Sequence, residues 1–540
     1  MFPLLLTLLA ADTTGVGAAL RFTVDTTSPA WMRWRSVTDV RPVLRGVYGG
    51  EGWRPLWVDV DGRPTPAARA MVRQLGQLRD RGLDPADYDA VALALRADSL
   101  DTPTRVAAYD VALSTATLRV ARALDRGRVS PTVLHRTLRV AREPFAADSL
   151  LRAFAADTQA AARLRALEPP FYQYRRLLGV LERFRALARD TTLLGLPPMP
   201  KVLRPDSAYA GAGGLRRLLT ALGDLPAAPA LGVDTLYDAT LQEGVRRFQR
   251  RQGLTDDAII GAGTQARLRR PWRDRIRQVE LTLERWRWLP RTHEVPPLIV
   301  NIPAFRLYGL RQLPDLEAET LTMDVVVGTA VTHDTPLLVA MLEAVNFQPH
   351  WNVPTSIATK EIKPKALANP GYLAKERYEL LRGSRVVPIT PEAIAEIGNG
   401  VRVRQMPGPG NALGRVKFVM PNREDIYLHD TPSRGLFART RRDFSHGCIR
   451  VVDPAALARW ALRDLPEWTP ERIDSAMAGD RQVWVALPRK IPVYLVYQSV
   501  VVRESGEAFL YPDIYGHDAT LDAALRKGYP FAGTALASAR

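Results

Sequence analysis

The chain of 540 residues contains a single cysteine, Cys448. An intramolecular disulfide is therefore impossible, and zinc sites built from several cysteines are excluded. A lone cysteine in an exported protein is either buried and inert or kept for its reactivity. The sequence around Cys448 therefore has to show whether this thiol is structural or a nucleophile.

Long apolar runs are also missing from the sequence. The apolar stretch at 2–10 is too short to span a bilayer, but it has about the length of the apolar part of a signal peptide. No Lys or Arg precedes Arg21, so the usual positive start of such a peptide is absent. We expect an exported protein in which residues 1–25 are a signal peptide or a disordered N-terminus, with no transmembrane segment.

Acidic residues are fewer than basic ones. The chain has 74 Lys and Arg against 57 Asp and Glu, a formal net charge of +17. This surplus favours anionic surroundings such as nucleic acid, acidic lipid or an anionic cell wall. However, Arg is spread along the chain, which a codon bias would also produce. Because no basic stripe interleaved with aromatic residues occurs, we predict no nucleic-acid partner.

The pattern of apolar residues predicts a multidomain α+β protein. Residues 30–205 have apolar positions at steps of three and four, which is typical of a helical domain. Residues 206–272 predict a small three-helix domain. Residues 273–490 carry short β-rich runs separated by Gly and Pro, which favour a mainly-β antiparallel sandwich or barrel. The remaining residues, 491–540, are predicted to form a C-terminal hairpin and tail.

A helical and irregular insertion at 356–404 interrupts the predicted strands, and such insertions often act as lids over a site. It contains four lysines that we expect to address anionic groups such as carboxylates. They are Lys360, Lys363, Lys365 and Lys375. The strands around it are predicted at 298–302, 321–327, 415–420, 426–429, 448–452 and 482–487.

We expect a catalytic site where Cys448 follows Gly447 at the start of a predicted strand. His429 lies 19 positions upstream, at the end of another predicted strand. If these strands are adjacent and antiparallel, the imidazole comes close to the sulfur. A histidine beside a cysteine accepts the thiol proton and then stabilises the thiolate. A purely structural pair remains the alternative from these two residues alone.

Three further expectations follow from the residues around Cys448. The N–H groups of Gly447 and Cys448 could form an oxyanion hole. Arg450 lies on the same side of the strand as Cys448, where it could pair with a substrate carboxylate. His429, His446 and Cys448 lack an evident fourth ligand, so we predict no metal, and we expect no cofactor.

The segment Ser445-His446-Gly447-Cys448-Ile449-Arg450, with His429 upstream, resembles the signature of YkuD-type L,D-transpeptidase catalytic domains. The glycine-rich stretch 407–415 resembles the approach to the catalytic sheet in that family. Trp351-Asn352-Val353-Pro354 and Tyr427-Leu428-His429-Asp430-Thr431-Pro432 resemble the large Gram-negative branch, which adds a helical scaffold and a peptidoglycan-binding domain. Residues 206–272 are similar to that binding domain, through Leu222-Gly223-Asp224 and Phe248-Gln249.

The resemblance implies a role for several residues. Cys448 would be the nucleophile, His429 the base and the backbone carbonyl of Asp430 the group that orients the imidazole. Gly447 would contribute to the oxyanion hole. The substrate-binding candidates are Arg450, His446, Tyr427, Trp351 and Ser445. Some members have Asn at the position of Arg450, His446 could be structural, and core packing is an alternative for Tyr427 and Trp351.

The implied activity is the formation of 3→3 cross-links between peptidoglycan stem peptides in the periplasm, through a thioester on Cys448. Carbapenems would be expected to acylate the same thiol. Water as acceptor would make the protein an L,D-carboxypeptidase, and a lipoprotein lysine would make it an anchoring enzyme. A non-catalytic wall-binding scaffold is a further alternative. Peptidoglycan is the expected partner, and glycan polymerases or carboxypeptidases are candidate protein partners.

Overall fold

The computed structural model describes residues 13–26, 28–227, 235–291, 294–310 and 319–536. The chain divides into two compact units, Met1–Thr292 with Gln498–Arg540, and His293–Tyr497. Among the described residues, no helix has the length and apolar character needed to cross a membrane. The apolar run at 2–10 lies outside the described residues.

The first unit is helical, with one short hairpin. Its helices are α1 (Thr13–Asp25), α2 (Arg41–Gly50), α3 (Pro66–Gly76), α4 (Ala90–Arg96), α5 (Pro103–Arg126), α6 (Pro131–Leu134), α7 (Ala147–Ala156), α8 (Ala160–Ala166), α9 (Tyr172–Leu187), α10 (Ala212–Leu222), α11 (Ala239–Arg251), α12 (Ala262–Leu268) and α13 (Trp272–Trp286). Short 3₁₀ turns occupy Leu78–Arg81 and Pro85–Tyr88.

Helix α1 covers the second half of the N-terminal segment 1–25. Its Leu20 and Val24 are fully buried, so the disordered alternative does not hold for 13–25, and the signal peptide stays a prediction. Burial of these apolar side chains stabilises the segment. Helix α5 is buried along most of its length. Its Asp110 accepts hydrogen bonds from the Tyr48 hydroxyl at 2.6 Å and from the backbone N–H of Trp57 at 2.8 Å.

Helices α10, α11 and α12 form the predicted three-helix arrangement. Helix α10 ends at Gly223, whose φ of +85° is accessible to glycine at little cost. Gln249 on α11 is buried and donates to Ile259 O at 2.9 Å and to Thr264 Oγ1 at 3.2 Å. It also accepts from the Ala258 N–H at 2.9 Å. One amide side chain thus fixes the loop between the second and third helices.

The second unit is built on a nine-stranded mixed sheet. Its strands are β1 (Leu298–Asn301), β2 (Arg306–Leu310), β3 (Glu319–Gly328), β4 (Leu338–Phe347), β9 (Val416–Val419), β10 (Leu428–His429), β11 (Asp443–Ser445), β12 (Ile449–Val451) and β13 (Val483–Val496). Their order is β11-β3-β12-β10-β9-β4-β13-β1-β2, and an additional pairing of β2 with β3 closes the sheet into a barrel. A 3₁₀ turn covers Arg434–Ala438, and helices α18 (Pro454–Ala461) and α19 (Pro470–Ala478) follow β12.

The predicted strands are present, but their pairing is not uniformly antiparallel. Strands β1 and β13, β10 and β12, and β3 and β11 pair in parallel. One register row across five strands is entirely apolar and buried, which places it in the core. It consists of Val485, Val345, Phe418, Leu428 and Ile449.

The insertion has a sheet of its own, where the sequence predicted helical and irregular structure. Its strands β5 (Trp351–Asn352), β6 (Tyr378–Arg382), β7 (Arg385–Val387) and β8 (Val401–Gln405) are ordered β5-β8-β6-β7. Between them lie α14 (Thr355–Ile357), a π-helical turn (Ala358–Ile362), α15 (Lys363–Ala368), α16 (Gly371–Lys375) and α17 (Pro391–Ala395). The insertion also has its own apolar core, which includes Ile362, Leu373, Leu380, Ile394 and Val403. We call residues 351–405 the lid subdomain.

The C-terminal residues return to the first unit from Gln498 onward. They form a hairpin of β14 (Val500–Val502) and β15 (Ala508–Leu510), followed by α20 (His517–Arg526). The predicted hairpin therefore begins later than 491, because β13 continues through Val496 in the sheet of the second unit.

A buried cluster of charged side chains in the first unit allows its contribution to stability to be tested. Glu284 is fully buried and ion-paired with Arg128 and Arg287, which are 4% and 0% exposed. We expect Glu284→Ala to lower the free energy of unfolding by about 3–5 kcal/mol, because it removes the carboxylate partner of Arg287 and leaves Arg128 only its 3.6 Å pair with Asp87. Asp101→Ala, which breaks an exposed pair with Arg105, is the control and should have a much smaller effect. Equal effects of both substitutions on denaturant unfolding would contradict this reading of the cluster.

Candidate active site

The site is built on the parallel pairing of β10 and β12. Leu428 pairs with Ile449, and His429 pairs with Arg450. The expected closeness of the two strands is present, while their expected antiparallel direction is wrong. Side chains of paired residues lie on the same face of a sheet, and alternate residues of one strand share a face. His429 and Arg450 therefore share their face with Cys448.

His429 is buried, with 5% of its surface exposed. Its Nδ1 lies 2.5 Å from the carbonyl oxygen of Asp430. A carbonyl only accepts hydrogen bonds, so Nδ1 carries the proton and Nε2 holds a lone pair. Burial, followed by the positive charges of Arg450 and Lys417, lowers the pKa of His429 to about 3. The imidazole is therefore neutral and has the tautomer that a general base needs.

The side chain of Asp430 holds its own backbone in place. One carboxylate oxygen accepts from the Thr431 N–H at 2.7 Å and from Arg434 at 2.6 Å, and the other accepts from the Arg415 N–H at 2.8 Å. The carbonyl of Asp430 is thus held where it contacts the imidazole. Outer contacts of this kind orient a functional histidine.

Cys448 is half-buried, and its thiol donates to the carbonyl oxygen of Asp425 over a distance of 3.6 Å. Burial raises the pKa of this thiol, while the N–H and hydroxyl of Tyr427 and the charges of Lys417 and Arg450 act in the opposite direction. The net direction is upward, so the thiol is protonated at neutral pH. Cys448 and His429, on one face of the sheet, are therefore both uncharged in the resting site.

The turn before Cys448 is fixed by Ser445. Its hydroxyl accepts from the Gly447 N–H at 3.2 Å and donates to the Cys448 carbonyl oxygen at 2.5 Å. Gly447 has a φ of +110°, which favours glycine, and its carbonyl accepts from Thr335 at 2.8 Å. The Gly447 N–H was predicted to face an oxyanion, but it donates to the Ser445 hydroxyl within the turn. The Cys448 N–H is then the remaining oxyanion donor in our prediction.

Tyr427 and Trp351 connect the lid subdomain to the thiol. The Tyr427 hydroxyl hydrogen-bonds both Trp351 and the sulfur of Cys448, and its ring packs edge-on against His429 with centroids 5.7 Å apart. Both aromatic residues are half-buried. Burial is the largest cause of the raised pKa of Tyr427, so the hydroxyl stays protonated and can donate to sulfur. These contacts fit a pocket wall better than core packing alone.

His446 points toward the lid subdomain as well. Its Nε2 lies 2.7 Å from Glu361 Oε1, and its ring meets that of His333 with centroids 4.7 Å apart. Glu361 belongs to the π-helical turn, so this contact ties the loop before Cys448 to the lid subdomain. A supporting role for His446 accords with this geometry.

Lys417 on β9 was missed by the sequence analysis. It pairs with His429 in the register and therefore lies on the same face of the sheet. Its Nζ stacks over the Tyr427 ring, 3.8 Å from the centroid. The signal in the sequence was a single lysine within the apolar strand Val416-Lys417-Phe418-Val419. Within the described ranges, no group of three or more His, Cys, Asp or Glu residues could hold a metal ion.

Comparison with known proteins assigns classes to three parts of this architecture. Residues 298–485, which include the whole site, match the family model of the YkuD L,D-transpeptidase catalytic domain. Residues 42–181 match a scaffold domain, and residues 214–268 match a family described as "Putative peptidoglycan binding domain". The chain thus combines a YkuD catalytic domain, a peptidoglycan-binding domain and a scaffold domain.

A curated relative carries a matching description. It is the "Putative L,D-transpeptidase" of Haemophilus influenzae, which is 35% identical over 251 residues, or 46% of this chain. The match covers 49% of that protein, so the chain spans about half the length of the relative it matches. The resemblance seen in the motif around Cys448 is confirmed at the level of the catalytic domain.

The resting charge state predicts how Cys448 reacts. We expect iodoacetamide to alkylate it more slowly than free cysteine at pH 7, with a rate that rises through and beyond the ordinary thiol pKa, because burial raises its own pKa. Cys448 is the only cysteine, so mass spectrometry of the intact chain reports on it alone. Tyr427→Phe removes a hydrogen bond to the sulfur and should slow the reaction further. A rate that is already maximal near pH 6 would instead indicate a resting thiolate–imidazolium pair.

Proposed function

We propose that this chain is a peptidoglycan L,D-transpeptidase that forms 3→3 cross-links through a thioester on Cys448. The observation that carries the proposal is the shared sheet face of Cys448 and His429 within a domain of the L,D-transpeptidase family. The lone pair on His429 Nε2 is available to take the thiol proton, since Nδ1 is engaged by Asp430.

In the first half of the reaction, the Cys448 sulfur attacks the carbonyl carbon at the L-centre of diaminopimelate in a tetrapeptide stem. The thiol proton passes to His429 Nε2, and the Cys448 N–H donates to the oxyanion. The tetrahedral intermediate then collapses, and His429 returns the proton to the amine of the leaving D-alanine. The product is a thioester acyl-enzyme with a neutral imidazole.

In the second half, an amine of a neighbouring diaminopimelate attacks the thioester carbonyl. His429 takes a proton from this amine and delivers it to the leaving sulfur, which regenerates the thiol. Water at the same position would give an L,D-carboxypeptidase, and a lipoprotein lysine would give an anchoring enzyme. The acceptor therefore distinguishes these activities, whereas the nucleophile is common to all three.

The lid subdomain is the proposed determinant of the acceptor, since Trp351 and Glu361 bring it to the catalytic residues. Two of its four lysines have internal partners. Lys363 donates to the Ala395 carbonyl at 2.5 Å, and Lys365 lies over the Tyr372 ring. Lys360 and Lys375 are the lysines that we propose for contacts with anionic groups of the substrate.

The match of residues 214–268 to a peptidoglycan-binding family supports peptidoglycan as the partner. We propose that this part of the chain holds the enzyme against the cell wall, in the periplasm. The net charge of +17 would likewise favour association of the protein with an anionic cell wall.

The proposal predicts the products formed from a disaccharide-tetrapeptide, followed by intact mass. Wild type should carry a tripeptide-sized adduct and release dimers that have lost one D-alanine, whereas Cys448→Ala should do neither. His429→Gln keeps the nucleophile but removes the base, so we expect acylation to fall about 10²–10⁴-fold.

Each other result has a definite meaning. An adduct with free tripeptide and no dimer would favour the carboxypeptidase, or an acceptor missing from the assay. A protein that forms no adduct and no product would contradict the role of Cys448 with this donor and would favour the non-catalytic scaffold. Thermal unfolding of each variant serves as the control for folding.

A further inference from the structure

Lys417, His429 and Arg450 form one row across three adjacent strands. Lys417 pairs with His429 on one side, and Arg450 pairs with His429 on the other. Neighbouring strands are about 4.8 Å apart, so the backbones of the two cations lie roughly 10 Å apart with the imidazole between them. Both side chains are long enough to reach over the imidazole from opposite sides.

The described part of the site only partly offsets the charge of these two cations, through the electrostatic effect of Asp425 on Lys417. Neither forms an ion pair with a carboxylate among the described residues, and Arg450 Nε is buried there without a hydrogen-bond partner. Burial is the main cause that lowers the pKa of both side chains. Lys417 interacts electrostatically with Cys448 and Asp425 and stacks on Tyr427. Two partly desolvated cations on one face strongly favour an anion between them.

We propose that Lys417, together with Arg450, binds the terminal carboxylate of the donor stem peptide and so selects donors that end one residue after the scissile bond. This inference rests on the proposed function. It adds a specificity-determining residue to that reaction, and it identifies the bound group as a carboxylate.

The chemistry of the leaving group explains why the carboxylate belongs in this row. His429 must give its proton to the amine of the leaving residue, and in D-alanine the carboxylate carbon is two bonds from that nitrogen. A carboxylate held between Lys417 and Arg450 therefore brings the leaving amine to the imidazole. A donor extended by another residue has no charge at that point and leaves both cations unpaired.

The test is a cycle in which the protein cation and the substrate anion are each removed. Acylation is measured by intact mass for wild type and Lys417→Met, each with the tetrapeptide donor and with its C-terminal amide. A charged hydrogen bond to a carboxylate corresponds to about 10–100-fold, so wild type should prefer the carboxylate by roughly that factor. In Lys417→Met this preference should shrink by about tenfold or more. Any intrinsic difference in reactivity between the amide donor and the carboxylate donor is the same for both proteins, so it cancels when their preferences are compared.

Two variants control for indirect effects. Lys417→Arg keeps a cation over Tyr427 and should retain the preference for the carboxylate. Lys490→Gln removes an exposed lysine that pairs with Glu343 on the surface, and it should match wild type with both donors. Tm values of all variants report whether the loss of the stacking contact on Tyr427 destabilises the protein.

The possible outcomes separate this inference from the proposed function. If Lys417→Met slows both donors by the same factor, Lys417 does not contact the carboxylate, and the inference is wrong although the transpeptidase stands. If wild type does not distinguish the two donors, the inference is also wrong. If wild type forms no acyl-enzyme with either donor, the proposed function fails, and the inference that rests on it fails with it.

Discussion

The parallel pairing of β10 with β12 is the constraint on which the site depends. Because His429 stands opposite Arg450, the alternation of the strands puts Cys448 on the same face as the imidazole. The opposite face of the same strands carries Leu428 and Ile449, which are fully buried. A shift of the register by one residue would bury the catalytic side chains and expose the apolar ones. The core thus determines the register, and the register determines the position of the catalytic pair.

The catalytic loop and the lid subdomain are coupled by side chains within the same unit. Trp351 hydrogen-bonds the Tyr427 hydroxyl that contacts the sulfur, and Glu361 contacts His446 beside the nucleophile. Asn411 donates to the carbonyl of Pro349, which lies near the start of the lid subdomain. Side-chain contacts therefore link the lid subdomain directly to the residues around the thiol.

Much of the fold could be predicted from the sequence, because runs of β-branched residues mark strands and steps of three or four mark helices. The direction of pairing could not be predicted, since periodicity identifies the face of a side chain but not the neighbouring strand. The strand β8 in the lid subdomain was missed although Val401 and Val403 alternate with charged residues. The end of β13 was misplaced because the predicted strand 482–487 stops before Pro488. The strand continues past this proline through a register shift between Ala486 and Ile491.

The candidate site could be predicted as far as the motif extends. The motif gave Cys448, His429 and the carbonyl of Asp430, whose catalytic roles stay predictions. The structure shows the contact of His429 with that carbonyl and a strand pairing that puts His429 and Cys448 on one face of the sheet. Lys417 lies outside any motif, and only the register of β9 against β10 reveals that it faces the imidazole. The role of Ser445 was also hidden, because a turn hydrogen bond depends on backbone angles at Gly447 that the sequence does not specify.

The charge state of the resting site links substrate binding to the strength of the base. Burial and the charges of Arg450 and Lys417 keep His429 neutral, with a pKa of about 3. Burial also keeps the Cys448 thiol protonated, against the opposing effect of the same two charges. A carboxylate bound between the two cations would offset their charge and raise the pKa of the imidazole toward its ordinary value. His429 would then become a stronger base when the donor is bound. On the proposed binding mode the imidazole is a stronger base in the substrate complex, although the same carboxylate also removes the stabilisation that the two cations give to the thiolate. The free enzyme keeps a protonated thiol, which reacts slowly with oxidants and alkylating agents.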